Sequence, residues 1–362
     1  MQKDKTNISL LKDLKNRKLL SDAAYKCLLS EEASNEDIED FYDMKKVVNK
    51  ENSLKISIVL ITHNRKYTLK RAISNIIRQI YKNYEVIIID DCSSDNTEQY
   101  ISEFLSDKIS YFYNEKNMGA GESRKKGYLK ASGDIIIFSD DDDYYIDPFY
   151  FCKLNAIFGD DSSVNIVCSN TLIKDEDNGK YYASSMRIKD GISNKEYING
   201  FSTIYDKPNS SFSLALRQSA MQAINYRNLP LFNDTSLYLY ALLANGTVGV
   251  IDEYIGVYCV HSGNMSLGVS PEFIIKNLDS KKIICQLADE KGLLINAHKW
   301  LYDQSKITLN YYFNGSSKGL HKDLLLLKWV IQNEKGYFRL KLVLEVLAKI
   351  IKNCVKNIIR AS

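Results

Sequence analysis

The chain has 362 residues, 45% hydrophobic and 26% charged, with four prolines, values of a folded soluble chain that exclude disorder. Its formal net charge is only +3, so it has no general electrostatic footprint for nucleic acid. The charge is uneven: residues 335–362 hold seven Lys or Arg against Glu345, a tail of +6 that leaves −3 for residues 1–334.

Seven cysteines (27, 92, 152, 168, 259, 285, 354) lie without any C-x-x-C pair, and an odd count leaves one unpaired in any intramolecular scheme, which points to a reducing cytoplasm. The amino terminus lacks the apolar core of a secretory signal. Nowhere does a run of about 18 apolar residues form a spanning helix.

In chain order, residues 1–54 read as a helical extension. Leu10, Leu11 and Leu14, then Tyr25, Leu28 and Leu29, then Ile38, Phe41 and Tyr42 recur at helical spacing, and Ser21 is placed to cap the second helix. The stretch EEASNEDIEDFYD carries seven acids and no base and reads as a solvated face.

At Ile56 the pattern changes. ISIVLI (56–61) is a short β-branched run of the kind that forms a buried parallel strand, EVIIID (85–90) is a second, and ISYFY (109–113) and DIIIFS (134–139) read as a third and a fourth strand. Between them fall helices at Leu69–Ile80, Thr97–Leu105 and Gly121–Ala131. Strand and helix in alternation predict right-handed crossovers, and so an α/β, Rossmann-like, mainly parallel sheet flanked by helices. Further strands are predicted at NIVCS (165–169) and as a pair at TVGVID (247–252) and GVYCV (256–260). Helical periodicity returns from residue 271.

Ligands of open parallel sheets bind at the carboxyl ends of the strands. Three polar clusters land there: Thr62-His63-Asn64-Arg65, Asp90 to Asp95, and Asp140 to Asp143. Four consecutive aspartates repel one another in a cleft, and a divalent cation relieves that repulsion; oxygen ligands favour Mg2+ or Mn2+. In an extended segment alternate residues point the same way, which would aim Asp140 and Asp142 at one site and Asp141 and Asp143 elsewhere. Gly119 and Gly121 follow the third strand without G-x-G-x-x-G spacing, so an oxidoreductase is set aside.

Taken together, ISIVLITHNR, EVIIIDDCSSDNT, NEKNMGAGESRKKG, SGDIIIFSDDDDYYIDP and VYCVHSGNMS resemble, in that order, glycosyltransferase family 2, the inverting enzymes of GT-A fold. The resemblance spans about residues 55–265 and implies a catalytic domain at 55–268, with helical regions at 1–54 and 269–362. It implies a donor pocket formed by Thr62, His63, Asn64, Arg65, Asp91, Arg124 and Asp141. In that pocket Asp91 would accept from the imide of a uracil-type base, and Arg124 would lie near the sugar or diphosphate. Metal would be held by Asp140 and Asp142, a DXD pattern, with His261. The base implied is Asp234, in LPLFNDTSLYLYALLANG, whose other reading is the cap of the following helix. PNSSFSLALR (208–217) falls near the sugar and acceptor.

The expected activity is single-sugar transfer from a nucleoside-diphosphate sugar to a glycan, lipid-linked or polymer acceptor in surface polysaccharide assembly. Neither Trp300 nor Trp329 lies in the Q-x-x-R-W motif of processive members. The alternatives are a sugar-phosphate nucleotidyltransferase, whose glycine-rich loop is missing after ISIVLI, and an inactive glycan- or nucleotide-binding module. In the tail Leu340, Leu344, Leu347, Ile351, Cys354 and Ile358 form one row, and Lys341, Glu345, Lys349, Lys352, Lys356 and Arg360 another. Such a helix over 340–360 fits peripheral contact with the inner face of the plasma membrane, or else packing on the domain or on a second copy.

Overall fold

The structure is a computed structural model that describes residues 5–29, 53–261, 270–314 and 319–361, without the side chains of 5–6 and 356–361. The acidic stretch at 31–43, the expected third helix, most of the HSGNMS segment, Lys356, Ile358 and Arg360 lie outside the described side chains.

Two helices open the chain, α1 (Lys5–Asn16) and α2 (Asp22–Leu29). Ser21 caps α2 as expected, its Oγ accepting from Ala24 N at 3.1 Å. Then follow β1 (Ile56–Thr62), α3 (Lys66–Ile77), β2 (Tyr84–Asp90), α4 (Thr97–Ile101), β3 (Ile109–Tyr113), α5 (Ala120–Tyr128), β4 (Ile135–Asp140), β5 (Tyr144–Tyr145), α6 (Tyr150–Asp160), β6 (Val164–Asp175) and β7 (Lys180–Ser184). The second half contains β8 (Ile192–Ser193), α7 (Asn194–Gly200), β9 (Leu214–Arg217), α8 (Gln218–Ala223), α9 (Asp234–Ala241) and β10 (Thr247–Val260). It closes with α10 (Pro271–Glu290), α11 (Ala297–Asn314), α12 (Leu320–Asn333) and α13 (Gly336–Ala361).

Among the described residues the strands form one sheet in the order β3-β2-β1-β4-β9-β6-β10-β5, with β7 on β6 and β8 on β10. The block β3-β2-β1-β4 is parallel, and β9 joins it antiparallel. All seven residues of β1 are buried, because both of its faces are covered. Ile56, Ile58 and Leu60 pack with α3 and α6, while Val59 packs with Tyr128 of α5 and the apolar side of α9. Gly127 lets α5 settle onto β1: a Cβ there would stand 2.3 Å from Val59 Cγ1.

One expectation is corrected. The strand pair at 247–252 and 256–260 is a single strand, β10, parallel to β6 throughout, with register shifts between Ile251 and Gly256. The polar pair Asp252-Glu253 sits on those irregularities and breaks the apolar run without breaking the strand.

The helices α1 and α2 cover the far end of the sheet, where Leu11, Leu14 and Leu28 pack with Leu172, Tyr254 and Val257. The last four helices share a core of their own, including Leu278, Leu309, Trp329 and Val346. The first of them, α10, also grips the start of α9, where Ser236 Oγ and Ser280 Oγ are 2.9 Å apart and Asn233 Nδ2 donates to Asn277 Oδ1.

Candidate active site

Register sets the site. Thr62 pairs with Asp90 across β1 and β2, and Ile61 with Asp140 across β1 and β4, so the polar loops leave the sheet at one level. The loop after β1 is fixed to the loop after β2: Asn64, at φ 55°, donates its backbone N–H to Ser93 Oγ and accepts from Ser94 N. His63 Nδ1 lies 2.7 Å from the Asp91 carbonyl, which can only accept, so Nδ1 carries the proton and Nε2 accepts from Asn64 and Asn117.

The two aspartates that end β2 divide their work. Asp90 closes the turn, accepting from Ser93 N at 2.7 Å and Tyr111 OH at 2.6 Å. Asp91 accepts from Met118 N at 2.8 Å, Gly119 N at 2.7 Å and Asn114 Nδ2 at 3.0 Å. Burial pushes its carboxyl up, but these donors more than offset it and hold the group below the usual range. Gly119, at φ 86°, turns its N–H toward Asp91 in a conformation that L side chains resist. The Ser123 hydroxyl, hydrogen-bonded to the Asp91 carboxyl, pulls it down further.

The aspartate run does not alternate as an extended chain would. β4 ends at Asp140, and Asp141 and Asp142 form a turn. Asp140 receives both its bonds from Arg124 Nη2, at 2.6 and 2.9 Å. Asp141 accepts from Thr62 Oγ1 at 2.7 Å and Arg65 Nη1 at 3.3 Å, whereas Asp142 accepts from Arg65 Nη1 at 2.7 Å and lies 3.4 Å from His261 Nε2. Asp143 points inward, bonded to Ser210 Oγ and Cys259 N, and ties the turn to β10. Arg71 of α3 adds a clamp by donating to the Asp142 carbonyl at 2.6 Å. Burial, followed by the neighbouring Asp142 charge, pushes Asp141 up to about 7 against the pull of Thr62 and Arg65.

Asp234 is not the helix cap. Asn233 takes that role, its Oδ1 accepting from Ser236 N at 2.9 Å, which leaves the Asp234 carboxylate in the first turn of α9, 3.3 Å from Arg124 Nη2. Arg124 itself is buried, its Nη1 donating to the Phe232 carbonyl at 3.1 Å. Burial disfavours its charge, yet Asp140 and Asp234 hold it firmly protonated. Arg124 therefore bridges the end of β4 to the start of α9.

Five of the expected residues gather around the aspartate turn: Thr62, Arg65, Arg124, His261 and Asp234 all touch Asp140, Asp141, Asp142 or one another. His63, Asn64 and Asp91 form a second group beside it. Sequence reasoning missed Asn114, Arg71, Ser210 and Asn233. Asn114, Ser210 and Asn233 stand within motifs already singled out; Arg71 carries no signal that separates it from ordinary polar residues.

A divalent cation fits this donor set in part. Among the described residues no three His, Cys, Asp or Glu are gathered into a ready-made metal cage. Asp142 and His261 nevertheless converge, and Mg2+ and its like are commonly held by one or two carboxylates plus substrate phosphates and water.

Residues 57–223 match the family described as Glycosyl transferase family 2. It is 37% identical over 91 residues to the UDP-Glc:alpha-D-GlcNAc-diphosphoundecaprenol beta-1,3-glucosyltransferase WfgD of Escherichia coli, a match covering 25% of this chain and 36% of that protein. It is 37% identical over 92 residues to the GalNAc(5)-diNAcBac-PP-undecaprenol beta-1,3-glucosyltransferase of Campylobacter jejuni, covering 25% of this chain and 30% of that one. The chain thus spans about a third of the length of these relatives. Among solved structures, S. aureus TarS 1–349 in complex with UDP-GlcNAc superposes with a TM-score of 0.61 at 18% identity, covering 83% of this chain and 89% of that one. The fold is therefore that of TarS, the GT-A fold, with a helical carboxyl-terminal region.

Proposed function

We propose that this chain is an inverting glycosyltransferase that moves a single sugar from a nucleoside-diphosphate sugar, a UDP-sugar by preference, to a lipid-linked or glycan acceptor in surface polysaccharide assembly. The observation that carries the proposal is the convergence, at one edge of the parallel block, of a donor-rich carboxylate at Asp91, an acidic turn at Asp140 to Asp142 and a carboxylate at Asp234. The names of the WfgD and Campylobacter relatives support an undecaprenol-linked acceptor, and the former a UDP donor.

On this reading the Asp91 pocket receives the base, the carboxylate accepting from an imide N–H, with His63 beside it. Asp142 and His261, with Asp140 near, would hold Mn2+ or Mg2+, which when bound offsets the charge that grows on the leaving diphosphate. Arg65 reaches the same side of the turn and can exchange a carboxylate for a phosphate oxygen, since a guanidinium pairs with either. Asp234 takes the proton from the acceptor hydroxyl as that oxygen attacks the anomeric carbon. Arg124 sets the distance between this base and the donor turn by holding Asp140 and Asp234 on one guanidinium. We assign the catalytic domain to 55–268, with 1–54 and 269–362 as supports, and place the enzyme on the cytoplasmic side.

A panel of nucleotide sugars with and without Mn2+ tests the reading. Release of nucleoside diphosphate with one donor class is expected. Release of inorganic diphosphate, or no turnover and no rise in melting temperature with any donor, contradicts it.

A further inference from the structure

The last two helices carry more apolar surface than their packing uses. In α13 the row Leu342, Val346 and Ile350 is buried against the other carboxyl-terminal helices. The row expected from sequence to be the working face is a different one. Tyr337, Leu340, Leu344, Ile351 and Val355 are between 49% and 69% exposed, with Leu347 half-buried among them. At 3.6 residues per turn this second row runs about 150° round the helix from the first. On α12, Leu320, Leu324 and Ile331 are likewise 45–52% exposed. Large exposed apolar side chains are normal when scattered singly; eight of them on two consecutive helices are not.

The charges of the same segment have been sorted. Every exposed charged residue from Gly319 to Val355 is basic: Lys322, Lys328, Lys335, Arg339, Lys341 and Lys352. The three acids turn inward. Asp323 is buried and accepts from Tyr312 OH, Glu334 is buried, and Glu345 accepts from Tyr302 OH and Lys306 Nζ, both at 2.9 Å. On α13, Lys341 and Lys352 follow one flank of the apolar row, about 80° from it. Among the described residues no helix is long and apolar enough to cross a membrane.

We propose that the outer face of α12 and α13 is a docking surface for an anionic lipid bilayer, its apolar row entering the headgroup boundary while the lysines and arginines meet lipid phosphates. Charge complementarity selects this occupant. A second copy of the chain would bring the same six cations to the contact and no exposed acid from this segment to pair with them, whereas an anionic bilayer supplies the missing sign and an apolar layer together. The surface stands apart from the donor site, and its test does not depend on turnover.

Flotation of the full chain with phosphatidylcholine vesicles, alone or enriched in phosphatidylglycerol, reads the proposal directly. The chain is expected to float with the anionic vesicles only and to be released by high salt. Replacing Lys335, Arg339 and Lys352 with serine should weaken partitioning by about two orders of magnitude, roughly fivefold per cation. Leu344→Glu with Ile351→Glu should abolish flotation, with the melting temperature unchanged because both side chains are exposed. A wild-type chain that ignores anionic vesicles overturns the proposal. So does a chain that is dimeric in gel filtration, becomes monomeric on Leu344→Glu with Ile351→Glu, and is indifferent to lipid.

Discussion

Replacing Asp234 with asparagine separates a catalytic role from a structural one, because the structure gives the two very different magnitudes. Asp234 does not cap α9; its carboxylate is 37% exposed and its ion pair with Arg124 spans 3.3 Å. Arg124 is only 7% exposed, so this half-buried pair is worth more than a surface one, and with about 0.3–1 kcal/mol for a carboxylate in the first turn of a helix, stability should fall by roughly 1–3 kcal/mol. Arg124 keeps both its bonds to Asp140 in the variant, so the donor side stays in place. Loss of a general base lowers kcat by about 10²–10⁴, a barrier increase of roughly 3–5 kcal/mol. Asn233→Ala is the opposite case, since it removes the cap and the bond to Asn277 and should cost about 1 kcal/mol of stability with a smaller loss of rate. Urea unfolding beside a nucleoside-diphosphate release assay gives both numbers. If Asp234→Asn keeps its kcat within about threefold, or matches the rate loss of Asn233→Ala, Asp234 is not the base.

Two further predictions concern the frame. Gly127→Ala should destabilise by about 1–3 kcal/mol in denaturant unfolding despite alanine's better helix propensity, because the new methyl meets Val59 Cγ1; Val59→Ala should recover part of the loss. Lys281 is buried between α10 and α11, where it donates to Gln304 O and Thr308 Oγ1, and burial lowers it from 10.5 to about 7. The unfolded chain binds this proton more tightly, so the group's contribution rises with pH between about 7 and 10.5 and is flat below. Lys281→Met should therefore stabilise the chain at pH 7 on the order of 3 kcal/mol, with a gain that shrinks by pH 9. An equal gain at both pH values would refute the argument.

Three strands of the parallel block were legible as β-branched runs buried on both faces, the edge strand β3 from its place in the alternation, and all four fall within a residue of where ISIVLI, EVIIID, ISYFY and DIIIFS place them. The identity of the clustered residues was legible for the same reason: a strand end fixes which side chains reach the edge. Their pairings were not. Whether Asp140 meets Arg124 or faces Asp142 depends on the chain leaving the extended conformation at Asp141, a choice set by Thr62, Arg65 and Arg71 from distant segments. Likewise Asn233 outcompetes Asp234 for the cap because α10 holds it through Asn277. In α13 periodicity picked out the row of Leu340, Leu344 and Ile351, whereas packing against α11 and α12 buries Leu342, Val346 and Ile350 instead.

The account rests on the Asp142 turn and the Asp91 pocket acting as one receptor for a nucleoside diphosphate. Calorimetric titration of UDP in the presence and absence of Mn2+, on the wild type and on Asp142→Asn, measures that directly. Metal-enhanced binding by the wild type, with the enhancement lost but residual binding kept in Asp142→Asn, is the predicted result. UDP binding that is absent, or equally strong with and without metal in both proteins, would contradict the account.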